Sequence, residues 1–321
     1  MMRIVFCGTP SFAVPTLKHL LAQSDFEILA AITQPDRPRG RGQEVSFSAV
    51  KETALAAKLA VHQPEKIRAS ESEALLRELA PDCIVIIAYG QIIPARLLPI
   101  PKLGWINLHA SLLPKYRGAA PINWAIVNGE TRTGVTTMRI DAGMDTGEML
   151  LRQELEISAK ETAPELAARL SELGAPLMAE TLRGLAAGTI TPKVQNHAEA
   201  SSAPMLKKED GRIDWNQPEI AIYNRMRGFA PWPGAYTTFR GQSCHVWGEA
   251  VSKEGSVSLP STPKAAGPGT LLFEKTQLFV WCGDATVLRV RAVKLEGRKQ
   301  VSAPEFANGA RLKSGERFGD T

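Results

Sequence analysis

Residues 83–94 read Cys83-Ile84-Val85-Ile86-Ile87-Ala88-Tyr89-Gly90-Gln91-Ile92-Ile93-Pro94. The first five are apolar without a break and rich in β-branched side chains, the pattern of a strand buried on both faces. Such strands belong to parallel sheets whose faces are covered by helices, so the flanking chain should alternate strand and helix. It does. Residues 3–7 and 28–33 read as strands on either side of a helical stretch at 13–22, residues 48–59 and 71–79 read as helices, and residues 105–108 supply a further strand. This order predicts an α/β fold with a doubly wound, mostly parallel, Rossmann-like sheet.

Ligands of such sheets bind beyond the carboxyl ends of the strands. Gly8-Thr9-Pro10, Ala88-Tyr89-Gly90 and Asn107-Leu108-His109 all fall there, so three motifs point into one crevice. Asn107 and His109 are two residues apart on a strand and leave the same face of the sheet. Asp145 follows in Asp141-Ala142-Gly143-Met144-Asp145-Thr146-Gly147. An amide, an imidazole and a carboxylate together suit attack of a neutral amine on an acyl group, with no metal required. Asn107 would donate to the oxyanion. His109, as a side chain of intrinsic pKa near about 6.5, could donate in its protonated form or move protons between incoming and leaving nitrogens. Asp145 would orient the ring and hold its cationic form. Taken one at a time, the same residues have plainer roles: Asn107 capping a turn, His109 a satisfied half-buried histidine, Asp145 closing an Asx-turn.

The loop after His109 reads Ala110-Ser111-Leu112-Leu113-Pro114-Lys115-Tyr116-Arg117-Gly118-Ala119-Ala120-Pro121-Ile122. It closely resembles the signature of the folate-dependent formyltransferase family. The likeness continues in residues 140–149, in residues 88–94, in residues 5–13, and far downstream in Gly228-Phe229-Ala230-Pro231-Trp232-Pro233-Gly234-Ala235-Tyr236-Thr237. With five segments in order, the whole chain resembles the members of that family that act on methionyl-tRNA.

The resemblance implies transfer of a formyl group from 10-formyltetrahydrofolate to the α-amino group of methionine esterified to initiator tRNA. It implies catalytic roles for Asn107, His109 and Asp145, and a folate-binding role for Ser111, Leu112, Leu113 and Pro114. Backbone groups and apolar side chains of that segment could hold the flat pterin ring. The stretch Gln34-Pro35-Asp36-Arg37-Pro38-Arg39-Gly40-Arg41-Gly42 follows the second strand, at the sheet edge that carries the other motifs. Its guanidinium groups could grip phosphates or stack on bases. In the resembling family this is an inserted loop that engages the tRNA acceptor end, so Arg37, Arg39 and Arg41 are expected to contact tRNA, with Arg41 in the matching Gly-Arg-Gly. Just beyond, Gln43-Glu44-Val45-Ser46-Phe47 departs from the lysines and prolines usual in the family.

At 321 residues the chain exceeds the usual single core. Residues 162–182 read as a long closing helix and the Ala/Ser/Pro-rich stretch at about 189–205 as a linker, giving a catalytic domain at 1–205 and a second domain at 206–321. In the latter, residues 220–227 read as a short helix. Short β-rich segments follow at 235–240, 243–250, 269–273, 277–281 and 287–295, with residues 253–268 as a loop between them. With the resemblance, they predict a smaller OB-like β-barrel. Residues 1–205 hold 21 Lys and Arg against 21 Asp and Glu, and 206–321 hold 17 against 12, so the whole net charge of +5 lies in the second part. A polyanion suits such a segment. Cys7, Cys83, Cys244 and Cys282 are scattered without a Cys-x-x-Cys pair and read as reduced core residues. No apolar run reaches about 18 residues and the amino terminus turns polar at Gly8, so a cytoplasmic protein without membrane insertion is expected, acting as a monomer.

Other classes stay open at this point. A formyltransferase acting on another amine, such as a nucleotide sugar, or a formyltetrahydrofolate hydrolase would use the same groups, although neither needs an arginine loop or a basic second domain. A nicotinamide dehydrogenase would need the second and third glycines of the dinucleotide fingerprint, which Gly8-Thr9-Pro10-Ser11-Phe12-Ala13 lacks. A non-catalytic RNA-binding module leaves Asn107, His109 and Asp145 without a task.

Overall fold

A computed structural model describes residues 1–39, 44–251 and 267–319. The chain divides into two compact units. The first comprises Met1–Pro121, Arg132–Ile157 and Glu165–Pro204; the second comprises Ile122–Thr131, Ser158–Pro164 and Met205–Thr321.

The first unit contains strands β1 (Met2–Gly8), β2 (Phe26–Ile32), β3 (Arg37–Arg39), β4 (Glu44–Ser46), β5 (Ala60–His62), β6 (Cys83–Ile87), β7 (Trp105–His109), β8 (Arg132–Arg139) and β9 (Met149–Glu156). Helices α1 (Val14–Leu21), α2 (Ala49–Ala56) and α3 (Ser70–Leu79) connect the early strands, and the long α5 (Ala163–Ala187) follows the last, after α4 (Pro121–Val127). The main sheet runs β5-β2-β1-β6-β7-β8-β9. Its first five strands pair in parallel, and β8 and β9 extend it in antiparallel fashion. All five residues of β6 are buried, in keeping with its unbroken apolar sequence. On one side of the sheet Val5, Ile32, Ile84, Ile86, Leu97 and Trp105 share a core. On β7, Leu108 packs its side chain directly against Gly174 of α5, so that a larger residue there would have to displace the leucine methyls.

The arginine-bearing stretch, expected as a loop, contains the β3–β4 hairpin, with Arg37 opposite Ser46 and Arg39 opposite Glu44. Arg41 lies outside the described residues, as does most of the 253–268 loop.

The second unit contains α6 (Glu219–Gly228), β10 (Tyr236–Phe239), β11 (Gln242–Ala250), β12 (Leu271–Glu274), β13 (Gln277–Trp281), β14 (Val287–Leu295), β15 (Val301–Ser302) and α7 (Ala303–Gly309). Its antiparallel sheet runs β10-β11-β14-β13-β12, with β15 on β14. Alternate residues face a core that includes Trp215, Ile222, Phe239, Val246, Leu278, Leu288, Phe306 and Phe318. Among the described residues no helix is long and apolar enough to cross a membrane. All four cysteines are free and buried, and burial pushes the thiols of Cys244 and Cys282 up to about 12.

Candidate active site

Chain order reverses at β1 and β6: from them the first unit proceeds to β2 and β5 on one side and to β7 on the other. This is the switch point at which open α/β sheets form their crevice. Thr9 after β1 donates its hydroxyl to the Tyr89 carbonyl after β6 (3.0 Å), and the Gln34 amide donates to the same carbonyl (3.2 Å). The Gly8-Thr9-Pro10 and Ala88-Tyr89-Gly90 turns are thereby laced together beneath the start of the arginine hairpin.

The root of that hairpin is fixed by a compact polar cluster. Lys51 Nζ donates to the Asp36 carboxylate and to Gln63 Oε1 (2.7 Å), and Gln63 Nε2 donates to Asp36 Oδ1 (3.0 Å) and to the Gln34 carbonyl (2.9 Å). The ammonium also sits 3.9 Å from the centre of the Phe47 ring. The Lys51 hydrogen bond holds the Asp36 carboxyl below the usual carboxylate range. Asp36 precedes β3 and Phe47 follows β4, so Lys51 engages both legs of the hairpin. Arg37 itself is exposed.

His109, the last residue of β7, is 5% exposed. Its Nε2 lies 2.8 Å from the Tyr116 carbonyl. A carbonyl only accepts, so Nε2 carries the hydrogen and the lone pair of the neutral ring lies on Nδ1. Nδ1 faces Asp145 Oδ2 at 3.7 Å, a charge-pair distance rather than a hydrogen bond. Asp145 therefore stands beside the ring nitrogen that the Tyr116 carbonyl does not occupy.

Two left-handed residues create this arrangement. Tyr116 has φ 61° and Asp145 has φ 53°, values that cost a non-glycine residue free energy and need surrounding support. Support comes from the 189–205 stretch. Although its composition suggests a linker, it is fastened to the first unit: Tyr116 N–H donates to Ser201 Oγ (2.9 Å), Arg117 N–H to the Ser201 carbonyl (2.8 Å), and Ala203 N–H to the Arg117 carbonyl (2.7 Å). Gly118, at φ 119°, donates its N–H to Asp145 Oδ2 (2.9 Å). A Cβ at Gly118 would stand 2.7 Å from the Ala203 carbonyl oxygen, so only glycine keeps that contact.

Asn107 is half-buried one turn of the pleat before His109, and no side-chain hydrogen bond is formed by its amide among the described residues. Its donor is available to an incoming group. Ser111, Leu113 and Pro114 are buried, and Leu112 is partly exposed. Ser111 Oγ donates to the Lys115 carbonyl (2.6 Å), and Thr136 Oγ1 donates to the Ser111 carbonyl (2.7 Å) while accepting from Leu113 N–H (3.2 Å). Most of this segment's polar groups thus shape the loop that presents the Tyr116 carbonyl; Leu112 is the side chain of the four left facing outward in part.

Residues 2–182 match the family model described as formyl transferase, and residues 205–311 match the formyl transferase C-terminal domain. The chain belongs to the formyl transferase family. A methionyl-tRNA formyltransferase of Solibacter usitatus is 54% identical over 99% of this chain and 99% of its own length. One of Acidobacterium capsulatum is 50% identical over 99% and 100%. Among solved structures, an N-formyltransferase from Helicobacter canadensis in complex with folinic acid and dTDP-3-aminofucose superposes with a TM-score of 0.63 at 18% identity, covering 90% of this chain and 99% of its own. That likeness concerns the fold.

The residue of this candidate site least visible in the sequence is Gln195, only 2% exposed. Its Nε2 donates to the carbonyls of Asp145 (2.8 Å) and Gly147 (2.7 Å), and its Oε1 accepts from Arg117 Nε (3.0 Å) and Nη2 (2.7 Å). One buried amide thus ties the Asp145 loop to the loop that follows His109. Gln195→Leu should leave two carbonyls and a guanidinium short of partners, costing about 2–3 kcal/mol of stability in urea unfolding. Turnover should fall at least about tenfold, because Asp145 is freed to drift from Nδ1. Unchanged turnover in a destabilised Gln195→Leu would show that the Asp145 position is set elsewhere.

Proposed function

We propose that this formyl transferase moves a formyl group from 10-formyltetrahydrofolate to the α-amino group of methionine carried by initiator tRNA, with Asn107, His109 and Asp145 as the chemical groups. The observation that carries the assignment of roles is the His109 ring. Its Nε2 is occupied by the Tyr116 carbonyl and its Nδ1 faces Asp145, at the end of a strand whose Asn107 amide is unengaged.

The reaction asks little of a base, since an α-amino group of pKa near about 8 is appreciably neutral at cell pH. Attack of its nitrogen on the formyl carbon forms a C–N bond and puts the carbonyl electron pair on oxygen. Asn107 donates to that oxyanion. The attacking nitrogen then loses a proton to His109 Nδ1, and the imidazolium is held by the Asp145 carboxylate. Collapse of the tetrahedral intermediate breaks the bond to the folate nitrogen, which takes the proton back from Nδ1. The side chains end as they began, and no external acid or base is consumed.

The test is transfer of labelled formyl from 10-formyltetrahydrofolate to charged initiator methionyl-tRNA, with free methionine, uncharged tRNA, a dTDP-amino sugar and water as competing acceptors. Formylation of the sugar, or release of free formate, at rates matching methionyl-tRNA would overturn the assignment.

The arginine-bearing stretch at 34–42 is assigned to the acceptor end of tRNA, with Arg37, Arg39 and Arg41 as its proposed phosphate contacts. Arg41→Ala should raise the KM for methionyl-tRNA by about tenfold or more, the scale of a lost charge-assisted contact. Titration of formyltetrahydrofolate in the absence of tRNA should be unaltered. Equal damage to both would assign the hairpin to the folate site instead.

A further inference from the structure

The second unit carries a row of aromatic rings that its core does not use. Tyr236 on β10 lies directly across from His245 on β11, and Trp247 follows two residues later on the same face. Ring centres are 6.0 Å apart from Tyr236 to His245 and 6.1 Å from His245 to Trp247, with the last two planes inclined by only 31°. Their neighbours Thr237, Cys244 and Val246 point the other way and are buried, whereas Trp247 is 39% exposed. The Pro231–Gly234 turn passes beside the middle ring of the row. Gly234 (φ 72°) lies against the His245 ring, and Trp232 on that turn is 55% exposed.

Cations surround this shelf. Lys294 is the cross-strand partner of His245 on β14, and it and Lys208 are exposed; among the described residues neither forms an ion pair. Burial first, and then the charges of Lys294 and Lys208, hold the His245 imidazole below its ordinary pKa, so the ring is neutral near pH 7. A sheet face with half-buried tyrosine and neutral imidazole rings leading at strand spacing to an exposed tryptophan, and with lysines beside it, is chemically suited to unstacked nucleobases whose phosphates lie over the cations. The excess of positive charge in residues 206–321 fits the same occupant.

We infer that the Tyr236–His245–Trp247 face, flanked by Lys208 and Lys294, is a stacking site for an unpaired nucleotide of RNA. The inference rests on the tRNA reading above for its natural ligand, but its chemistry can be probed without it. Two probes separate the two failures: a short single-stranded RNA of mixed sequence, and initiator tRNA with the formyl-transfer assay run in parallel.

For the full chain, binding of the single-stranded RNA should quench tryptophan fluorescence. Trp247→Ala should weaken binding of both RNAs by about 5- to 150-fold, the usual worth of one stacked base. The dependence of log Kd on log salt should not change, because a neutral ring is removed. Trp247→Phe should keep most of the affinity, and Lys294→Met should lower the salt slope by about 0.7–0.9. Trp247 is exposed, and a melting temperature equal to that of the parent protein would establish that each variant is folded. Affinity of Trp247→Ala and His245→Ala within twofold of the parent for both RNAs would overturn the stacking site, whatever the formylation assay shows. Binding of the short RNA that depends on Trp247 in a protein that fails to formylate methionyl-tRNA would overturn the proposed function and leave the stacking site standing.

Discussion

Replacing His109 by alanine is expected to lower single-turnover formyl transfer by about 10²–10⁴-fold, the scale of a positioned acid–base group. The KM for methionyl-tRNA should change less than about threefold. Both parts follow from geometry. The ring is 5% exposed and its Nε2 is held by the Tyr116 carbonyl, so it offers no broad surface to a macromolecule. What it offers is one nitrogen, Nδ1, facing a carboxylate at 3.7 Å. Asp145→Asn is the sharper companion. An asparagine can still accept from the Gly118 N–H, so the loop should hold, while the charge that favours the imidazolium is gone. A loss of about 10²-fold in turnover with little change in melting temperature is expected. If His109→Ala transferred formyl at a rate within about threefold of the parent protein, Nδ1 would have no part in proton movement and the roles proposed for both residues would fall.

The parts of this protein that were legible in its sequence are those whose burial is apolar. β6 was read to its residue bounds because Cys83-Ile84-Val85-Ile86-Ile87 has no polar position to obscure it. β8 was not foreseen, for a physical reason: its buried positions include Thr133, Thr136 and Thr137, whose side chains look polar in sequence. In the fold two of them are satisfied internally, Thr136 by Ser111 and Leu113, and Thr137 by Thr181 and Leu151. β9 escaped because it is an edge strand with a largely polar sequence and exposed side chains. α7 was not foreseen either, although Ser302-Ala303-Pro304-Glu305 carries a capping-box signal, in which Ser302 and Glu305 cap each other's backbone amides.

The site divides in the same way. Asn107, His109 and Asp145, the groups proposed to act, announce themselves in residue type and spacing. Gln195 and Ser201 do not, because they act on backbone groups across the fold, within a stretch whose alanines, serines and prolines suggest a linker. A side chain that satisfies distant carbonyls leaves no periodicity behind.

The largest loss of stability is expected at Arg227, near the end of α6 and 7% exposed. Its guanidinium donates from Nε to Asn224 Oδ1 (3.0 Å), and from Nη1 to the carbonyls of Glu161 (2.9 Å) and Ser158 (3.3 Å). These contacts bind the short Ser158–Pro164 piece into the second unit; the other inserted piece, Ile122–Thr131, is attached separately, with Asn123 Nδ2 donating to the Gly228 carbonyl (2.7 Å) and Trp124 meeting Phe229 edge-on. Burial pulls the guanidinium pKa below its ordinary value, so the charge is tolerated only because its hydrogens are accepted. Arg227→Met fills much of the same volume and removes every donor. Asn224 and the two carbonyls then lose partners in a poorly hydrated setting, which should cost about 2–4 kcal/mol in urea unfolding. Arg227→Lys keeps the charge, yet a single ammonium cannot reproduce the planar fork, and about half that loss is expected. An unfolding free energy of Arg227→Met within about 0.5 kcal/mol of the parent would mean that water replaces the guanidinium without penalty, and that the Ser158–Pro164 piece does not depend on Arg227 for its place in the second unit.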